Sequence, residues 1–228
     1  MPRENATRLV VFDCDGTLVD SQHHIVATME EAFAAIGQAP PAPARVRHVI
    51  GLSLGEAIAQ LWPEGGAEDL ARVEAAYRAA FFARRQRPDH DEPLYQGARE
   101  CIELLEARGY LLGIATGKAR RGLDATLGRH GLLERFVTLQ TADRAPGKPD
   151  PTMLEWAMRE AGAEPSSTLL IGDTSYDMEM ARNAKVTAIG VSWGYHPPEV
   201  LARCGAHAVL DSFDALAPLA ADLLGGAR

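Results

Sequence analysis

Positive charge is in short supply in this chain. Its 228 residues carry 23 Lys and Arg against 31 Asp and Glu, a formal net charge of −8. That balance argues against nonspecific binding to nucleic acid or to an anionic membrane. Any phosphate-bearing ligand must then be met by a local device, not by the overall field. Long apolar runs are missing too: no segment approaches the ~20 residues of a membrane span, and the apolar stretch within Met1–Asp20 is far too short for a secretory signal. Cysteine is scarce, with only Cys14, Cys101 and Cys204. An odd, scattered set excludes a disulfide framework and fits a reducing cytoplasm. There is no internal repeat, and the one biased tract is the short linker QAPPAPAR.

What is present is ordinary in bulk and specific in detail. Apolar residues make up 46% and charged residues 24%, as in soluble globular proteins, and the length suits one large domain or two modest ones. The most informative stretch is LVVFDCDGTLVDS, residues 9–21. Four apolar residues run straight into Asp13 and Asp15, which reads as a buried strand, residues 8–14, ending in a site; ligands collect at the carboxyl ends of such strands. Side chains two apart share a strand face, so the two carboxylates could address one reacting centre. Holding like charges together is costly without a cation, and a divalent metal is the economical answer. Alternation turns Cys14 to the other face, as a packed strand residue.

After Asp20 the pattern becomes helical: HHIVATMEEAFAAIG, LGEAIAQLW and LARVEAAYRAAFFARR, with QAPPAPAR breaking the first two. From Tyr95 onward helical segments alternate with the short apolar runs YLLGIAT, FVTLQT, TLLIGD and VTAIGVS, which implies a parallel sheet with right-handed crossovers. The first strand then belongs with the C-terminal half. This makes an α/β core of residues 1–20 and 93–228 with an α-helical insertion at 21–92, and DHDEP near Asp91 is the return linker.

Four clusters fall at or beside the expected strand ends: Asp13 with Asp15; Thr116 with Gly117, ahead of a helix whose free N–H groups favour an anion; Lys148 in PGKPDP; and Asp173 with Asp177 in GDTSYDM. Singly each has a plain explanation: a turn and cap, a solvated loop cation, an acidic helix start. Jointly they allow phosphoryl transfer. A carboxylate can attack phosphorus to give an acyl phosphate. Magnesium (Mg2+) on oxygen ligands would offset the repulsion, and Lys148 and the Thr116 hydroxyl would spread over the phosphoryl oxygens.

The four motifs, in this order, resemble the haloacid dehalogenase superfamily, and the insertion is similar to its small α-helical cap. The resemblance implies a three-layer α/β/α Rossmann-like core. It implies Asp13 as nucleophile and Asp15 as the acid that protonates the leaving oxygen and then activates water. It also implies magnesium on Asp13, the backbone carbonyl of Asp15 and Asp173, with Asp177 supporting metal and lysine, and phosphate binding by Thr116, Gly117 and Lys148. The haloalkanoic dehalogenases need no acid two residues after the nucleophile, so Asp15 favours a phosphotransferase. The absence of lysine from residues 21–92 excludes the branch that forms a Schiff base there.

Within the superfamily the chain most resembles the phosphoglycolate phosphatase group. RHVIGLS is similar to a cap substrate loop, in which Arg47 would grip a substrate carboxylate or stand as a solvated helix-end cation. Lys118 could add a second positive group or be a surface lysine. His23, His24 and His48 read as surface or hinge residues. In NAK, Lys185 stands where the family places a helix-ending glycine. The expected function is a cytoplasmic phosphatase of small phosphorylated metabolites, monomer or homodimer. Alternatives are a sugar phosphomutase or pyrophosphatase on the same scaffold. Receiver-like signalling modules share the aspartyl phosphate, but they are shorter and lack the insertion.

Overall fold

In the computed structural model, which describes residues 7–87 and 90–225, six strands form one parallel sheet. Across it run β3 (Thr138–Thr141), β2 (Leu111–Thr116), β1 (Leu9–Phe12), β4 (Thr168–Gly172), β5 (Thr187–Val191) and β6 (Ala208–Leu210). The central β1 pairs with β2 from Leu9↔Leu111 to Phe12↔Ile114 and with β4 from Leu9↔Thr168 to Phe12↔Ile171. Strand order reverses at β1, and that reversal opens a crevice at the carboxyl edge of the sheet.

Both faces of β1 are covered, which is why LVVF is continuously apolar. The pleat sends Val10 and Phe12 into one cluster with α5 (Ala98–Ala107), α6 (Arg120–Arg129) and α10 (Leu216–Leu224). Leu9 and Val11 enter the opposite cluster, with α7 (Thr152–Ala161), α8 (Ser175–Ala184) and α9 (Pro198–Arg203). Burying each such large side chain contributes about 1.5–3 kcal/mol. The result is a three-layer α/β/α, Rossmann-like arrangement.

Four helices follow β1: α1 (Gln22–Ala35), α2 (Pro43–Val49), α3 (Leu54–Leu61) and α4 (Ala67–Arg85). They bury a cluster of their own around Met29, Phe33, Val46, Ile58 and Val73. The chain leaves for these helices and returns along adjacent paths: Asp20 N–H donates to Pro93 O and Tyr95 N–H to Leu18 O, with a bridge between Val19 and Leu94. Asp89, the first residue of the expected return linker, and Pro88 before it lie outside the described residues.

The structure amends several expectations. β1 ends at Phe12, so Asp13 and Asp15 stand in a turn beyond the strand, not on one strand face. Leu18 and Val19 N–H both donate to Cys14 O, and Gly16 at φ 87° lets the chain double back. QAPPAPAR is not wholly a linker, because α2 begins at Pro43, a first-turn position where the missing N–H costs nothing. β6, α9 and α10 follow VTAIGVS, the last of the strands that the sequence pattern predicts. Lys185 does cap α8 in the left-handed conformation, at φ 60°. Cys14 lies in the core, where burial pushes its thiol well up. Among the described residues no helix is long and apolar enough to cross a membrane.

Candidate active site

The turn after β1 is anchored by one more ladder bond, from Asp13 N–H to Ile171 O at 2.9 Å. Asp13 Oδ1 accepts Cys14 N–H at 2.6 Å and lies 3.0 Å from Lys148 Nζ, while Oδ2 is buried without a hydrogen-bond partner. Lys148 is itself fully buried and donates to Asp177 Oδ1 at 2.6 Å. Asp177 Oδ2 accepts the Thr174 N–H and hydroxyl at 3.1 and 2.6 Å, completing the capping box that opens α8. Both Asp177 oxygens are therefore committed to holding Lys148 and the helix start. Burial works against the Lys148 charge, but Asp13 and Asp177 together hold the ammonium above its ordinary range.

Asp173 follows β4 directly. Its Oδ1 accepts the Thr17 hydroxyl and its Oδ2 the Tyr195 N–H, each at 2.9 Å. A Cβ on Gly16 would stand 2.2 Å from Asp173 Oδ2, so glycine is required for the turn to lie against it. Asp13, Asp173 and Asp177 bring carboxylate oxygens within 4.8 Å of one another, all buried. Burial, abetted by the Asp177 and Asp15 charges, raises Asp13 despite Lys148; burial and then the Asp13 charge raise Asp173 well above the carboxylate range. Ionised together, these groups call for a cation. The all-oxygen donor set and the orphaned Asp13 Oδ2 fit a hard divalent ion held by Asp13 and Asp173. Asp177 stands beside that position with its lone pairs already engaged.

Asp15 belongs to a second charge network. Its Oδ1 accepts the Ser21 hydroxyl at 2.5 Å and pairs with Lys118 Nζ at 2.9 Å. Lys118 is not a surface lysine: its side chain is 6% exposed and also faces Glu92 Oε1 at 3.8 Å. The fully buried Glu92 accepts the Thr126 hydroxyl at 3.1 Å and lies 3.6 Å from Arg85. Burial opposes both charges, yet Asp15 and Glu92 hold Lys118 above its range, and Lys118 and Arg85 hold Glu92 below its own. Glu92 escaped sequence reasoning because an acid in a proline-flanked linker looks solvated; Ser21, Thr17 and Tyr195 carry no signal of their own.

Thr116, at the end of β2, is buried and accepts Lys118 N–H at 3.3 Å. At Gly117 a Cβ would sit 2.3 Å from Leu52 O, so the loop after α2 rests directly on this glycine. Between the helical insertion and the core lies a cavity of about 650 Å³, reached by Asp15, Thr116, Gly117 and Lys118. Arg47 is not among the residues that bound it; Arg78, Arg85 and Arg121 are. α2 continues through residue 49 and turns Val46 and Val49, three apart, inward, which takes Arg47 off that face. His24 is likewise no surface residue: it is buried edge-on against Phe81 and His90, each at 4.5 Å, and burial lowers it to about 4. His23 and His48 are exposed, the latter stacked 4.7 Å from His196.

Similarity to known proteins places the chain in a family. Residues 10–191 match the haloacid dehalogenase-like hydrolases. The chain is 34% identical over 219 residues to the probable phosphatase IndB of Dickeya dadantii, covering 95% of this chain and 94% of that protein. It is 32% identical over 215 residues to a phosphoglycolate phosphatase of Rhodospirillum rubrum, covering 92% and 89%. The crystal structure of a hydrolase from Pseudomonas syringae superposes with a TM-score of 0.81 at 30% identity, covering 94% of this chain and 98% of that one. Matched by the family model over residues 10–191 and similar to these proteins along more than nine-tenths of its length, the chain belongs to the haloacid dehalogenase-like hydrolase family.

Proposed function

We propose that the protein is a magnesium-dependent phosphomonoesterase of small phosphorylated metabolites that works through an aspartyl phosphate on Asp13. The observation that carries this is the Asp13 carboxylate, with Oδ1 pinned by Cys14 N–H and Lys148 and Oδ2 buried without a partner beside Asp173. The relatives named phosphatase and phosphoglycolate phosphatase support the class, with a phosphoglycolate-like ester as the reference substrate.

Asp13 attacks phosphorus while Asp15, having taken up a proton as the ester binds, passes it to the departing alcohol oxygen. Asp15, now a carboxylate, takes a proton from water as that water attacks the acyl phosphate, releasing inorganic phosphate and restoring Asp13. Lys148 and the Thr116 hydroxyl bind the peripheral phosphoryl oxygens, with Gly117 leaving room beside them. Bound magnesium, on Asp13, Asp173 and the Asp15 carbonyl, would neutralise charge between nucleophile and phosphate. Residues 21–92 act as a cap that excludes bulk water. Cys14 and Cys101, both buried, are compatible with a cytoplasmic setting.

The test is release of inorganic phosphate from p-nitrophenyl phosphate with magnesium and without a bisphosphate activator. Activity lost with EDTA and in Asp173→Asn is the expected result. Dependence on a bisphosphate activator would instead make the protein a mutase.

A further inference from the structure

The cavity beside Asp15 is larger and more apolar than a two-carbon phosphate ester requires. Its volume of about 650 Å³ lies in the range that buries a drug-sized ligand. This is not the gap left by a withdrawn cap, because the Leu52 carbonyl already rests on Gly117 and Glu56 on Gly147. The apolar part of the insertion wall includes Met29 of α1, Val46 of α2, Ile50 and Leu54 around the following loop, and Tyr77 and Phe81 of α4, with Ser53, Glu74 and Gln86 among its polar members. The Tyr77 and Phe81 rings stack at 5.8 Å.

Cations in these walls are largely spent. Arg78 pairs with Glu74 at 2.6 Å; Arg85 donates to Gly122 O and Thr126 and faces Glu92; Lys118 bridges Asp15 and Glu92. Arg121 lies over the Phe82 ring at 4.4 Å. A slot of this kind gains little from a carboxylated two-carbon alcohol, which would bury almost no apolar surface and would have to draw Arg78 or Arg85 from its carboxylate or Arg121 from the Phe82 ring.

We propose that the preferred substrate is a phosphomonoester of a bulky, largely apolar alcohol, whose organic group fills the slot between the insertion and the core with its phosphate at Asp13. This rests on the phosphomonoesterase reading above and names the substrate class for that site. Apolar surface buried against these walls contributes binding free energy that is available to the transition state.

The experiment compares kcat/KM for ethyl, butyl and hexyl phosphate and for phosphoglycolate, with magnesium, using p-nitrophenyl phosphate as the generic ester. The three alkyl alcohols leave with similar basicity, so chain length isolates the apolar walls. We expect kcat/KM to rise severalfold per methylene, up to about fourfold where burial is complete, and hexyl phosphate to exceed phosphoglycolate. Met29→Ala and Phe81→Ala should each lower the hexyl-to-ethyl ratio, a readout internal to each variant and so independent of how much of it folds. A flat series overturns the inference, as does a tenfold preference for phosphoglycolate, which would assign Arg121 to a substrate carboxylate. If no ester is hydrolysed, p-nitrophenyl phosphate included, the phosphomonoesterase reading falls and this inference falls with it.

Discussion

The core behind the cavity and the helical insertion in front of it are built on opposite principles. On the core side, charge is dense and tied down. Lys148 lies between Asp13 and Asp177, Lys118 lies between Asp15 and Glu92, and the turn at Gly16 packs against Asp173. On the insertion side the surface is mainly aliphatic and aromatic, and its arginines pair with neighbours or lie on rings. The lesson is a division of labour. On the proposed reading, reaction chemistry sits at the carboxyl edge of a parallel sheet, and selection of the alcohol sits on helices whose side chains can change without disturbing that edge.

The contrast can be broken or sharpened by substitution. The largest effect belongs to Asp13→Asn, which should lower kcat/KM for p-nitrophenyl phosphate by at least about 10³-fold, as removal of a nucleophile does. Wild-type-like turnover with the fold intact by circular dichroism would break the contrast outright. Lys148→Met should cost stability as well as rate. It leaves Asp13 and Asp177 buried with no ammonium between them, at about 3–5 kcal/mol in urea unfolding, whereas a loss under 1 kcal/mol would mean that the core network is not held by this pair.

Magnesium should sharpen the comparison through pH. Burial raises Asp13 and Asp173 in the folded protein, so the folded state binds protons there more tightly than the unfolded chain. Their contribution to stability is therefore complete below the ordinary carboxylate range and is lost as pH rises through their elevated range. A cation relieves that loss, so the gain in Tm on adding magnesium should be larger at pH 7.5 than at pH 5. Equal gains would contradict the assignment of these two carboxylates as ligands.

Smaller effects are expected away from both walls. Lys185→Gly should stabilise the protein by about 0.5–1 kcal/mol by relieving the left-handed conformation at φ 60°, with kcat unchanged. Arg47→Ala should be the mildest, within about 0.5 kcal/mol in stability. It should also shift KM for phosphoglycolate and for p-nitrophenyl phosphate alike, since Arg47 does not reach the cavity. A selective rise for phosphoglycolate would return Arg47 to a role in recognition.

Much of the core wall was legible in the sequence, and the reason is local. Asp13, Thr116 and Asp173 each stand at the end of an apolar run that can only be an interior strand, and a sheet places the ends of adjacent parallel strands at one edge. The spacing of GDTSYDM likewise puts Asp177 in the first turn of α8. The pairing of Lys118 with Glu92 was not legible, because it joins the turn after β2 to the return linker, and neither neighbourhood signals burial. His24 was misread for a similar reason, its partners Phe81 and His90 being more than fifty residues away along the chain. Arg47 stood between two readings because RHVIGLS does not show where α2 ends; the structure puts it in the last turn of α2, the helix-end alternative, and the continuation to Val49 decides which side chains face inward.

The most direct test of Asp13 as nucleophile is to quench the enzyme with acid during steady-state turnover, reduce with borohydride and map the modified peptide by mass spectrometry. Phosphoryl transfer through Asp13 requires the label on the peptide spanning residues 9–21, at position 13, and its disappearance in Asp13→Asn. Turnover without any trapped acyl phosphate, or a label on a different residue, would contradict it.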